Sequence, residues 1–213
     1  MVPRFGFDVD GPLVFDNWRL QGFFLFLREG GVACDYEKFV LTGQWFEAIP
    51  SFKRPEISSA WRQYVTDRNV QDVPTPGAIA ALKLLARAER VIATARTSSE
   101  RPATLQFLSQ HYGDFHECHF ELDCKIAVAR QVCCFIDDNV GIANSVAEHT
   151  SDDTKVILFP APGRPGRATH RRVITLEADK LVSPDMPKDG WRQVCEMSWQ
   201  EITAIVQDFR LPA

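Results

Sequence analysis

The sequence predicts an α/β protein: a doubly wound, Rossmann-like parallel sheet core with a small inserted α-helical cap subdomain. Three observations predict it. Short, continuously apolar runs recur along the chain, as strands buried on both faces require. Segments of helical period separate them, where an antiparallel sheet would have tight hairpins. One separation, roughly 80 residues between the first run and the second, is far longer than a β-α-β crossover needs.

The first run, RFGFDV at 4 to 9, reads as a strand. The long insertion follows. It carries helical patterns at 17 to 29, 35 to 48 with Asp35 as cap, and 55 to 68 with Pro55 in the first turn. The core is therefore assigned to 1 to 15 and 74 to 213, and the cap to 16 to 73. Trp18, Phe23, Phe24 and Phe26 lie close to helical spacing and are expected to pack the insertion rather than line a lid. The apolar run at 23 to 27 is far too short to span a bilayer, so no membrane partner is expected. After the insertion a helix begins at Thr75-Pro76, and a strand follows at 90 to 94. The helical stretch 98 to 113 has serines available as caps. Helix 123 to 131, strand 133 to 137, helix 139 to 148 and strand 154 to 159 continue the alternation. The Gly-, Pro- and Arg-rich stretch 160 to 172 reads as a loop. Ser198 and Glu201 are spaced as a capping box opening the last helix.

Composition narrows the function classes. Apolar residues make up 45% of the 213 and charged residues 24%, as in an ordinary globular domain. A formal charge of -4 argues against a nucleic acid polymer, whose phosphates call for a basic face. Six cysteines invite a disulfide reading. However, the N-terminus enters the first strand with no signal-peptide pattern, so reduced thiols in a cytoplasmic protein are expected. His116, His119, Cys118 and Cys124 lack a C-x-x-C pair and make a poor zinc site. The five histidines are read as surface or core residues.

The chemistry-bearing residues stand at strand ends. Asp8 and Asp10 close the first strand, Thr94 and Arg96 the second, and Asp137 and Asp138 the one at 133 to 137; Lys125 opens a helix just before that strand. A parallel α/β sheet binds ligands at the carboxyl edge of its strands, so this fold would gather four carboxylates, a hydroxyl and an ammonium in one crevice. A hard divalent cation is the usual compensation for such a cluster.

These residues resemble the haloacid dehalogenase-like (HAD) hydrolases. Phe7-Asp8-Val9-Asp10-Gly11 resembles the family's D-x-D-G motif, Ile92-Ala93-Thr94 its strand ending in Ser or Thr, Lys125 its lysine, and Phe135-Ile136-Asp137-Asp138 its closing acidic motif. The helix at PTPGAIAALKLLA is also similar to the family's. The resemblance implies a phosphatase acting through an aspartyl-phosphate. Asp8 would be the nucleophile and Asp10 the acid and base. Thr94 and Lys125 would hold the phosphoryl oxygens. Mg²⁺ would sit on Asp8, the backbone carbonyl of Asp10 and Asp138, with Asp137 in support. Pro12 stands where the family has Thr, which stiffens the turn after Gly11. The second aspartate, absent from dehalogenating members, favours phosphoryl transfer.

The expected partner is a small phosphorylated metabolite. A nucleoside monophosphate is placed first, because the closing motif and cap position resemble the deoxyribonucleotidase-like branch. A sugar phosphate or phosphoglycolate is the alternative. The intact set Asp8, Asp10, Thr94, Lys125 and Asp138 argues against an idle binding protein. Arg96 has two open readings, a clamp on substrate phosphate or a partner for a surface carboxylate. Arg164, Arg167, Arg171 and Arg172 are read as a solvated loop in preference to a grip on an anionic substrate.

Overall fold

Among the described residues, six strands, β1 (Arg4–Phe7), β2 (Glu89–Ala93), β3 (Glu117–His119), β4 (Cys134–Asp137), β5 (Lys155–Leu158) and β6 (Val173–Thr175), alternate with nine α-helices. The computed structural model describes residues 2–68, 70–162, 168–183, 186 and 188–209. All six strands form one parallel sheet in the order β3-β2-β1-β4-β5-β6. β1 is central, and the chain leaves it towards β2 on one side and β4 on the other. That reversal opens a crevice at the carboxyl end of β1, between its two neighbours.

The period-two geometry of the strands sorts the core into two layers. Phe5, Phe7, Ile92 and Ile136 face one layer, with α5 (Ala78–Leu84), α6 (Arg101–Tyr112) and α9 (Lys188–Gln207). Val91, Ala93 and Phe135 face the other, against α7 (Ile126–Ala129) and α8 (Val140–His149). Covered on both sides, the strands have no polar face, which is why they read as continuous apolar runs.

The insertion between β1 and β2 is helical: α1 (Asp16–Glu29), α2 (Tyr36–Thr42), α3 (Trp45–Ala48) and α4 (Arg54–Asp67). It has an apolar cluster of its own, centred on Phe23, Phe24, Phe39, Ile49 and Tyr64. Phe23 meets Trp61 edge-on at 5.1 Å, and Trp45 stacks on Phe24 at 5.9 Å. Phe23 and Phe24 are therefore packing residues, Phe26 is half-buried, and the side chain of Trp18 lies outside the described residues.

Several boundaries differ from expectation. The helix expected over 35 to 48 is two helices, because Gly43 takes a left-handed conformation (φ 64°) and ends α2. No serine side chain caps α6; instead Glu100 reaches back to the amide and hydroxyl of Thr97 (2.9 and 2.8 Å). The expected helix at 123 to 131 is the single turn α7, with Lys125 at its N-terminus. The last helix begins at Lys188, not at 198. Ser198 is buried within it and donates to the Val194 carbonyl one turn back, while Glu201 accepts the Glu177 and Ala178 amides of a separate 3-10 turn. β3 and β6, both of three residues, lie outside the predicted strands. Of the Arg-rich loop, Arg164 and Arg167 lie outside the described residues. Arg172 donates to the Ser151 and Thr150 carbonyls (2.6 and 3.0 Å), which ties it to the turn before β5.

Candidate active site

The backbone at the end of β1 departs from strand geometry immediately after Asp8. The Val9 carbonyl accepts the amides of Leu13 and Val14 (3.1 and 2.8 Å), and Gly11 donates to the Val14 carbonyl (3.0 Å), which makes a tight turn. Gly11 sits at φ +88°, and a Cβ there would meet the Asp138 carboxylate at 2.7 Å. Glycine is thus required twice over, for the conformation and for the approach of Asp138. This turn lets two aspartates one residue apart serve one crevice while facing different partners.

Asp8 points towards Lys125, whose ammonium lies 2.7 Å from Asp8 Oδ2 and 2.8 Å from Asp137 Oδ2. All three side chains are buried. Carboxylate oxygens of Asp8, Asp137 and Asp138 lie within 4.8 Å of one another, the one such cluster of potential metal ligands among the described residues. Three carboxylates against one ammonium leave two formal negative charges in a buried site, a deficit that one divalent cation would match. Burial, with the neighbouring Asp137 charge, pushes the Asp8 carboxyl up to about 7 even though Lys125 opposes it. Burial disfavours the Lys125 ammonium, but Asp8 and Asp137 outweigh it and raise its pKa. Asp137 Oδ1 also accepts the Asn139 amide (2.8 Å), so both its oxygens already have partners, as befits a supporting carboxylate.

Asp10 faces the opposite way. Arg96 contacts it at 2.6, 3.1 and 3.2 Å, and Arg19 from α1 at 2.9 Å. Burial alone would raise its pKa, but the two guanidinium groups outweigh burial and hold it well below the ordinary carboxylate range. Arg96 thus pairs with Asp10, on the same turn as Asp8. Arg96 is buried, bonded to Asp10, to Asp72 (2.6 Å) and to the Thr104 hydroxyl (3.0 Å). Arg19 also reaches Asp72 at 3.2 Å. Arg19, Asp72 and Thr104 were not found by sequence reasoning. Arg19 and Asp72 lie in the insertion, and no spacing rule links a residue there to a strand end in the core.

Thr94 is buried at the end of β2, and its hydroxyl accepts the Arg96 amide (3.2 Å), which leaves its own proton to donate. The structure therefore brings Asp8, Lys125, Asp137 and Asp138 into direct contact or near it, places Asp10 on the same turn as Asp8, and sets Thr94 at the neighbouring strand end. His119 lies next to Glu117 at 3.1 Å, on the edge strand β3.

No protein-family model matches the chain, and no curated protein matches it in sequence. Solved structures match it in fold. A haloacid dehalogenase-like hydrolase from Bacteroides fragilis aligns over 85% of this chain and 100% of its own, at 15% identity and a TM-score of 0.57. A structure assigned as a phosphoglycolate phosphatase from Haemophilus somnus aligns over 81% and 93%, at 12% identity and a TM-score of 0.55. CbbY from Rhodobacter sphaeroides, solved in complex with phosphate, aligns over 82% and 94%, at 13% identity and a TM-score of 0.52. The fold is that of the HAD hydrolases. On this HAD fold, the order of β1, β2 and β4 in the sheet is what places the D-x-D-G turn between Thr94 and the Asp137-Asp138 pair.

Proposed function

We propose that this protein is a Mg²⁺-dependent phosphatase that hydrolyses a small phosphomonoester through an aspartyl-phosphate on Asp8. The observation that carries this reading is the buried Lys125 ammonium bridging Asp8 and Asp137 beside Asp138. A structural ion pair needs one carboxylate for one ammonium, whereas this site holds a surplus of negative charge at the edge where such sheets bind ligands. The likeness to HAD-fold structures, one of them holding phosphate, supports it.

Asp8 attacks phosphorus, and the ester oxygen departs as the P–O bond breaks. Lys125 and Thr94 donate hydrogen bonds to the transferring oxygens. Mg²⁺, held by Asp8, the Asp10 carbonyl and Asp138, would neutralise charge on Asp8 and the phosphoryl group so that two anions can meet. Asp10 protonates the leaving oxygen and then takes a proton from the water that hydrolyses the acyl phosphate. As found, Asp10 is fixed in its ionised form by Arg96 and Arg19, which suits the base step. The acid step requires it to turn away from them. Residues 16 to 73 act as the cap that closes over the substrate. Among substrates, the resemblance in sequence puts nucleoside monophosphates first, and the name of the Haemophilus structure supports the alternative, phosphoglycolate.

The test is a phosphate-release screen over nucleotides, sugar phosphates and phosphoglycolate, with Mg²⁺ and with EDTA. Release that depends on Mg²⁺ and disappears in Asp8→Asn supports the reading. Release that persists in EDTA or in Asp8→Asn would overturn it.

A further inference from the structure

The turn that carries Asp10 is gripped from outside by three side chains that take no part in the chemistry above. The hydroxyl of Thr75 donates to the Gly11 carbonyl (2.8 Å), the indole N–H of Trp199 to the Pro12 carbonyl (3.1 Å), and the hydroxyl of Tyr112 to the Leu13 carbonyl (2.5 Å). Three consecutive carbonyls are thus held by three donors from separate parts of the chain: the segment leading into α5, the middle of α9 and the last residue of α6. The donors are buried, Thr75 and Trp199 at 1% exposure and Tyr112 at 7%. Burial pushes the Tyr112 phenol up, so it remains a donor throughout the working pH range. The Thr75 amide also reaches the Leu13 carbonyl (3.0 Å), and the Phe15 amide the Val73 carbonyl (2.8 Å).

Buried side-chain donors such as Ser198 and Thr154 bond one carbonyl each, at Val194 and Val132. Here three of them converge on one short turn, each on the next residue. Pro12 adds a fixed φ in the middle. The result is a turn with little freedom, one residue away from a side chain that must change partners during turnover.

We propose that Thr75, Tyr112 and Trp199 are positioning residues for Asp10: by fixing the carbonyls of residues 11 to 13, they aim the carbonyl and carboxyl groups of Asp10. The proposal rests on the phosphatase reading. Misplacing a proton-transfer group by a fraction of its hydrogen-bond length costs rate, not substrate affinity, so the clamp acts on kcat.

The variants Thr75→Val and Tyr112→Phe each remove one hydroxyl and little volume; Thr75→Ser restores the donor. Phosphate release is measured at 25 °C with an aryl phosphate, whose leaving group needs little protonation, and with an alkyl phosphate, whose leaving group needs it. Mg²⁺ affinity is measured by calorimetry, and the melting temperature alongside. For the alkyl phosphate, Thr75→Val and Tyr112→Phe should each lower kcat roughly 10- to 100-fold with KM little changed. The aryl phosphate should suffer much less, and Thr75→Ser should recover most of the loss. A purely structural role would lower the melting temperature yet leave the alkyl-to-aryl ratio unmoved, and that result would overturn the proposal. If the wild type binds Mg²⁺ but releases no phosphate, the phosphatase reading fails by itself. The clamp is then judged on Mg²⁺ affinity, which both variants should weaken through the Asp10 carbonyl; unchanged affinity overturns it. A wild type that neither binds Mg²⁺ nor releases phosphate overturns both.

Discussion

At the scale of single residues, the two aspartates of one turn are pushed in opposite directions by their partners. Asp8, buried beside Asp137, keeps its proton up to about pH 7, whereas an unfolded aspartate loses it near 4. The folded chain therefore binds more protons than the unfolded one across that interval. Stability should fall as pH rises from about 4 to 7 and stay lowered above it. The Lys125 shift does not enter, because the stability it contributes is lost only at far more alkaline pH. Two outcomes follow. Without metal, Asp8→Asn should raise the melting temperature at pH 8 but not at pH 5, while abolishing turnover. Mg²⁺, which competes with the Asp8 proton, should raise the wild-type melting temperature more at pH 8 than at pH 5.5. Thermal melts at the two pH values, with and without Mg²⁺, check both, and equal Mg²⁺ shifts would contradict the linkage. Lys125→Met is the harsher change. It leaves buried carboxylates uncompensated and should destabilise by roughly 3–5 kcal/mol at pH 8, and by less at pH 5 where Asp8 is neutral.

At the scale of elements, the insertion is tied to the core by charge at its two ends. Arg19 stands in the first turns of α1 and Asp72 in the returning segment, and both join Asp10 and Arg96 of the core in one network. Asp72→Asn removes a carboxylate that serves both arginines. It should cost roughly 1–3 kcal/mol, read as a lower denaturant midpoint with an unchanged slope. This network also marks where the sequence stopped being legible. Strands β1, β2, β4 and β5 were readable because burial on both faces leaves only apolar residues. The polar residues at or just past their carboxyl ends stood out for the same reason, which is how Asp8, Thr94 and Asp137 came to be read as candidates. β3 (Glu-Cys-His) and β6 are three-residue edge strands with no such pattern. The start of α9 was misplaced because Ser198 and Glu201 have capping-box spacing but tertiary partners elsewhere. Arg19, Asp72, Tyr112 and Trp199 reach the site from helices and linkers, and only packing reveals where those point.

At the scale of the whole molecule, the division of labour between core and insertion can be tested at the cleft they share. Trp45, Ile57, Ser58, Trp61, Arg62 and Val65 of α3 and α4 face Thr97, Ser99 and Glu100, the segment that follows Thr94 and Arg96, across a space of about 720 Å³. The far wall is core and the near wall is insertion, and the acidic cluster of Asp8, Asp137 and Asp138 lies entirely in the core. If the insertion is a cap that selects the leaving group, filling this cleft should change which ester is preferred without touching the metal site. Ser58→Trp is suited to that purpose. Ser58 is exposed on α4, and its hydroxyl bonds to its own helix at the Arg54 carbonyl (3.2 Å), so the fold should tolerate the change. The ranking of substrates by kcat/KM should be reordered, with bulky leaving groups losing roughly 10-fold or more relative to small ones, while the Mg²⁺ concentration giving half-maximal rate stays at the wild-type value. A panel of phosphomonoesters run beside Mg²⁺ titrations reads both quantities from one preparation. An unchanged ranking with an altered Mg²⁺ requirement would reverse the assignment, placing the metal's support in the insertion and the choice of substrate in the core.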